Sequence, residues 1–231
     1  MFPQLRVRID LEAKLAQPCY KSMLDYYNQN RTRTFDKIWH MKGTEKYTAA
    51  SLARQTTRDI ASKRQLLGGE VLELNGPVEF YRAHDGGSIS PTSAGTLGRC
   101  WVDRELVANL AASTASFKGE ERILFFMDWL RACSFVLKEW NEMKFLACMR
   151  VPDGCRVVVV KGKGDWNALL PPECRTVAGR RPTTPVPDNV AKQLQHMSIE
   201  GTTQYVIPLF NGSWVNRVDE SSPSWPFYKT K

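Results

Sequence analysis

The sequence predicts an α+β fold, and three observations carry that prediction. Helical spacing dominates the first third of the chain, short β-branched runs punctuated by Gly and Pro fill most of the rest, and the composition is that of a globular protein. Hydrophobic residues make up 42% and charged residues 24% of the 231, which excludes a disordered or collagen-like chain and supplies enough apolar material for a sizeable core. The chain reads as one domain over 1–231, with a helical region over 1–68, a mixed α/β core over 69–212 and an extended tail over 213–231.

Each element has a local reason. Asp10 is expected to cap a short helix that Pro18 ends, and a second helix follows over 19–30 with Met23, Tyr26 and Tyr27 on one side. From Thr44, apolar positions Leu52, Ile60 and Leu67 recur at helical spacing until Gly68-Gly69, read as the helix stop. Residues 71–74 and 78–83 then read as strands around the turn signal Asn75-Gly76-Pro77, with a loop over 85–97. Asp103 begins a short helix over 104–113, and 120–143 is a long helix apolar around most of its circumference, hence expected to be largely buried. Strands are expected at 145–151, 155–160, 174–179 and 202–210, an extended linker at 180–189, and a tail lying over the surface from Ser221. No internal repeat is evident.

Lys and Arg number 32 against 24 Asp and Glu, a net charge of +8. The excess gathers at Arg31, Arg33, Lys37, Lys42, Lys46, Arg54, Arg58, Lys63 and Arg64. Such a surface attracts polyanions, nucleic acid above all, through counterion release, or simply solvates a helix face. No apolar run approaches the roughly 20 residues of a membrane span, and charges stand where a signal peptide needs its apolar stretch. The expectation is therefore a cytoplasmic, intracellular protein with no membrane contact; an effector exported without a cleavable signal fits the same pattern. The six cysteines include no Cys-x-x-Cys pair and only three histidines accompany them, so no zinc or other metal site is expected. Cys133 and Cys148, in apolar stretches, read as small core hydrophobes with reduced thiols.

The familiar glycine loops for phosphates and dinucleotides, the nucleophile elbow and the His-Glu-x-x-His pair are all missing. What remains is an order of local matches. VEFYRAH (78–84) carries Arg82 after an aromatic, LGRCWVDRELVANLAAS (97–113) follows a loop, and VPDGCRVVVV (151–160) and DWNALLPPECRTV (165–177) come later. Over about residues 45–180 this order resembles the ADP-ribosyltransferases of the bacterial-toxin type. There, a strand with Tyr-Arg is followed by a Ser-Thr-Ser or aromatic-Trp-Thr strand leading into a helix, and by a late Glu-x-Glu segment before Leu-Leu-Pro.

The resemblance implies N-terminal helices followed by a mixed, mainly antiparallel two-sheet core, NAD as substrate, and transfer of ADP-ribose to a protein or nucleic-acid acceptor. Cleaving the nicotinamide glycosidic bond passes through an oxocarbenium-like state, so the site needs a cationic fork for the pyrophosphate and a carboxylate near the ribose. Arg82 would be the fork, with Tyr81, His84 and Trp101 completing the NAD contacts; a salt-bridged Arg82 and a core Trp101 are the plainer readings. Asp165 and Asn167 stand at the Glu-x-Glu place, so an amide replaces a carboxylate there. Glu173 and Glu200 are alternative carboxylates. Arg99, Cys100 and Val102 stand where the family has hydroxyl residues. Two other functions stay open. One is a basic nucleic-acid-binding protein without catalysis, using Tyr26, Tyr27, Trp39 and Tyr47 for stacking. The other is an inactive relative used as a docking module.

Overall fold

In the computed structural model, the residues described are 3–33, 36, 39, 41–63, 66–84, 98–134, 145–164, 174, 185, 188 and 202–218. Helix α1 spans Pro3–Leu15, beginning on a proline that fits the first turn, where no backbone N–H is needed. Asp10 is thus a mid-helix residue, exposed and paired with Arg6 one turn back, rather than the cap. A 3-10 turn at Pro18–Tyr20 leads into α2, Lys21–Gln29, which buries Met23 and Tyr27. Helix α3 covers Ala49–Lys63 and starts from a reciprocal cap, in which Ser51 N donates to Thr48 Oγ1 and Thr48 N donates to Ser51 Oγ.

The glycine pair does not stop that helix. It lies inside strand β1, Leu66–Asn75, where the register slips between Leu67 and Glu70 and Gly68 takes φ +67°. A bulge asks for the same backbone freedom as a helix stop, which is why the two look alike in sequence. Strand β2 is Val78–His84, yet Asn75-Gly76-Pro77 closes no hairpin, because β1 pairs with β5 and β2 with β3 and β4. The turn instead packs on the 152–155 turn. A Cβ on Gly76 would meet Pro152 O at 1.9 Å, so only glycine fits.

Strand β3 (Cys100–Asp103), helices α4 (Arg104–Ser113) and α5 (Gly119–Cys133), and strands β4 (Phe145–Val151), β5 (Arg156–Gly164), β6 (Thr203–Val206) and β7 (Val215–Val218) complete the described elements. The strands form a single sheet in the order β1-β5-β6-β3-β2-β4-β7, with every pairing antiparallel. Where a mixed two-sheet arrangement was expected, the described residues form one antiparallel sheet with a narrow waist. Four-residue β3 joins the halves through Phe80–Asp103 and Tyr81–Val102 on one side, and Cys100–Val206 and Trp101–Tyr205 on the other.

Two apolar clusters sandwich this sheet. The larger gathers Leu11, Leu15, Tyr27, Trp39 and Leu52 from the N-terminal region with Val157 to Val160, Trp101 and Phe210. The smaller sets α4 and α5 through Val107, Leu110, Phe126 and Leu130 against Tyr81, Val102, Leu146 and Cys148. Helix α5 is less buried than its composition predicts: Leu124 is 66% exposed and Trp129 40%. One helix packing on one sheet face hides one stripe, and the apolar residues outside it stay wet. Cys133 and Cys148 are buried and in no disulfide, as expected. Strand β7 was unforeseen, while the strand expected at 174–179, the linker at 180–189 and the tail from Ser221 lie outside the described residues, apart from Cys174, Pro185 and Asp188.

Candidate functional site

Alternation along β2 separates the residues that the resemblance grouped. Phe80, Arg82 and His84 share the face of the larger cluster, whereas Tyr81 and Ala83 face α4 and α5. Tyr81 is buried there, its hydroxyl donating to Glu79 at 3.0 Å, and burial raises its pKa. Tyr81 is therefore turned away from Arg82. His84 is 5% exposed with its ring 5.7 Å from Phe145.

Arg82 is partly buried. Its Nη1 donates to the carbonyl of Cys100, at the start of the neighbouring β3. Its Nε is shielded from solvent with no hydrogen-bond partner among the described residues. No carboxylate among them pairs with it, and burial lowers its pKa. Gly98, at φ +85°, lets the guanidinium come close: a Cβ there would stand 3.4 Å from Nη2. A buried guanidinium with an unmet donor, lacking a carboxylate, leaves a desolvation cost that an anion would offset.

Trp101 sits on the same face and is 1% exposed, edge-on to Phe210 at 5.9 Å, with Nε1 unpartnered among the described residues. The indole is a core side chain that walls the waist. Asp103 is fully engaged: Oδ1 accepts from Leu106 N at 2.9 Å, capping α4 as predicted, and Oδ2 accepts from Tyr205 Oη at 3.0 Å. That contact, after burial itself, pushes the Tyr205 pKa up to about 12.

Asp165, Asn167 and Glu173 lie outside the described residues, as does Glu200. Gly164, the last residue of β5, donates its N–H to Thr202 O at 3.0 Å, so the described residues on either side of that stretch meet at one place. That place is three strands from β2, roughly 14 Å at sheet spacing.

The structure adds two groups that sequence reasoning did not single out, Gln204 and Arg217, and gives Arg99, read only as a departure from the family pattern, a structural role. Gln204 of β6 is buried and its amide donates to Cys133 O at 3.4 Å, on the face turned to α5. Arg99 is buried, ion-paired with Asp59 of α3 and stacked 4.7 Å over the Trp39 ring. Arg217 of β7 lies 3.7 Å over the Phe145 ring, opposite Ala147, which is in turn opposite Arg82. Val215-Asn216-Arg217-Val218 carries two adjacent polar residues and no alternation, so no sequence signal marked it as a strand.

The N-terminal stacking surface is corrected. Tyr27, Trp39 and Tyr47 are 0%, 0% and 2% exposed, so their rings pack in the core and cannot stack on bases, while Tyr26 is partly covered. Arg31 is held by Asp36 at 3.0 Å, which leaves Arg54 and Arg58 among the exposed cations of this region. No group of three metal-ligating side chains occurs among the described residues, and no helix there is long and apolar enough to cross a membrane. No family model, curated protein or solved structure matches this chain.

Proposed function

We propose that this chain is an NAD-dependent mono-ADP-ribosyltransferase acting on a protein or nucleic-acid acceptor. The observation that carries the reading is Arg82: a partly buried guanidinium with an unmet donor and no carboxylate partner among the described residues, next to the waist strand. Its fork takes the pyrophosphate oxygens of NAD, with Gly98 leaving room and the Cys100 carbonyl fixing its direction. His84, on the same face, lies toward the ribose or the pyrophosphate.

In the reaction, the bond between the anomeric carbon and the nicotinamide nitrogen breaks and nicotinamide leaves as the neutral base. An acceptor heteroatom then bonds to that carbon and gives up its proton to a basic group or water. A carboxylate near the ribose stabilises the developing cation. Asp165 or Glu173 supplies that carboxylate in this reading. The net charge of +8 favours a nucleic-acid or ribosomal acceptor.

The test is incubation with NAD labelled in the adenylate and a cell lysate, scoring nuclease-sensitive and protease-sensitive label separately. Transfer is expected from the intact chain and lost in Arg82→Ala and Asp165→Ala. Label incorporation unchanged in both variants would refute the assignment.

A further inference from the structure

Arg82 has a counterpart two strands away. Register sets Arg82 opposite Ala147 and Ala147 opposite Arg217, so the two arginines stand on one face of the sheet with a methyl group between them. Two interstrand spacings put their Cα atoms roughly 10 Å apart. Arg217 is exposed and, like Arg82, pairs with no carboxylate among the described residues. The Phe145 ring lies 3.7 Å beneath its guanidinium and 5.7 Å from the His84 ring, so the aromatic holds the cation along the sheet surface. Other surface arginines of the same half are neutralised: Arg150 and Arg104 both reach Glu79, at 2.6 and 3.5 Å. Two arginines with no acid partner among the described residues, set in one row across a small residue, match a ligand carrying two linked anionic groups.

Resting on the dinucleotide reading above, we infer that Arg217 is the second guanidinium of the anion site and selects a diphosphate over a monophosphate. Arg82 holds one phosphate from the side of β3, where its Nη1 bonds the Cys100 carbonyl, and Arg217 holds the other from the rim. Arg217 is a binding residue that touches the pyrophosphate and has no part in the bond-breaking step.

The experiment is calorimetric titration of the intact chain and of Arg217→Ala, Arg217→Lys and Arg82→Ala with inorganic pyrophosphate, ADP and inorganic orthophosphate. Arg217→Ala is expected to weaken pyrophosphate and ADP about tenfold or more while changing orthophosphate less than about twofold, and Arg217→Lys to recover part of the loss. Equal weakening of all three probes would mean simple charge attraction and would overturn the inference, as would no change in any. Arg217 is exposed, so its variants should keep the wild-type urea midpoint, which separates binding from folding. Diphosphate selection without transfer of labelled ADP-ribose would retain Arg217 and remove the transferase. Transfer indifferent to Arg217→Ala would do the reverse, and a wild-type chain that binds none of the probes overturns both.

Discussion

Two arginines flank the start of β3, Arg99 buried and Arg82 partly buried, and they differ in their partners. Arg99 is ion-paired with Asp59 and lies over Trp39, tying α3 to the waist of the sheet. Among the described residues, Arg82 bonds the Cys100 carbonyl next door and no carboxylate. Burial lowers the pKa of both. A guanidinium kept from water needs a countercharge. Where the fold supplies one, as for Arg99, the residue is part of the scaffold; Arg82, where it supplies none among the described residues, is the one left to receive an anion. The far end of β3 is pinned in the manner of Arg99, by Asp103 to Leu106 N and Tyr205.

The largest effect that would break this comparison is at Asp59. Asp59→Ala should cost about 3–5 kcal/mol in urea unfolding, because it strands Arg99 in the core. A loss under about 1 kcal/mol would show that Arg99 needs its partner no more than Arg82 does. Asp103→Ala should cost about 1–2 kcal/mol through the lost cap. It should also bring the Tyr205 titration down from about 12, followed as tyrosinate absorbance. Since the folded pKa of Tyr205 lies above its ordinary value of about 10, its contribution to stability is full below pH 10 and is lost as pH rises through about 12; the variant should be less sensitive to pH over that window. The smallest effect on stability is expected at Arg82. Arg82→Met, which keeps volume and removes the charge, should leave the free energy of urea unfolding within about 1 kcal/mol of wild type or raise it. Saturating pyrophosphate should raise the wild-type midpoint and leave that of the variant where it was.

Legibility followed the range of the physics. The cap at Asp103, the strands at 78–83 and 145–151, the α+β order and the buried thiols depend on neighbours within a turn or on alternation, and they stand. Gly68-Gly69 misled because a bulge and a helix stop ask for the same φ. Tyr27, Trp39 and Tyr47 read as a stacking surface because aromatic residues among lysines look alike whether buried or exposed; only packing against Phe210 and Leu52 sets them inside. At the candidate site, Arg82 and His84 were legible from alternation on one strand. Arg217 was not, since its relation to Arg82 runs through Ala147 across two registers.

The sequence by itself determined most of the helical and extended segments, the charge of +8, and the single strand that carries Arg82, because propensity, capping and alternation act over a few residues. Only the tertiary structure decided that β1 and β2 part company, that the strands form one sheet pinched at β3, and which arginine meets a carboxylate. Those outcomes depend on pairings between residues tens of positions apart, and whether a buried charge is satisfied is settled by what the fold brings within hydrogen-bond reach of it.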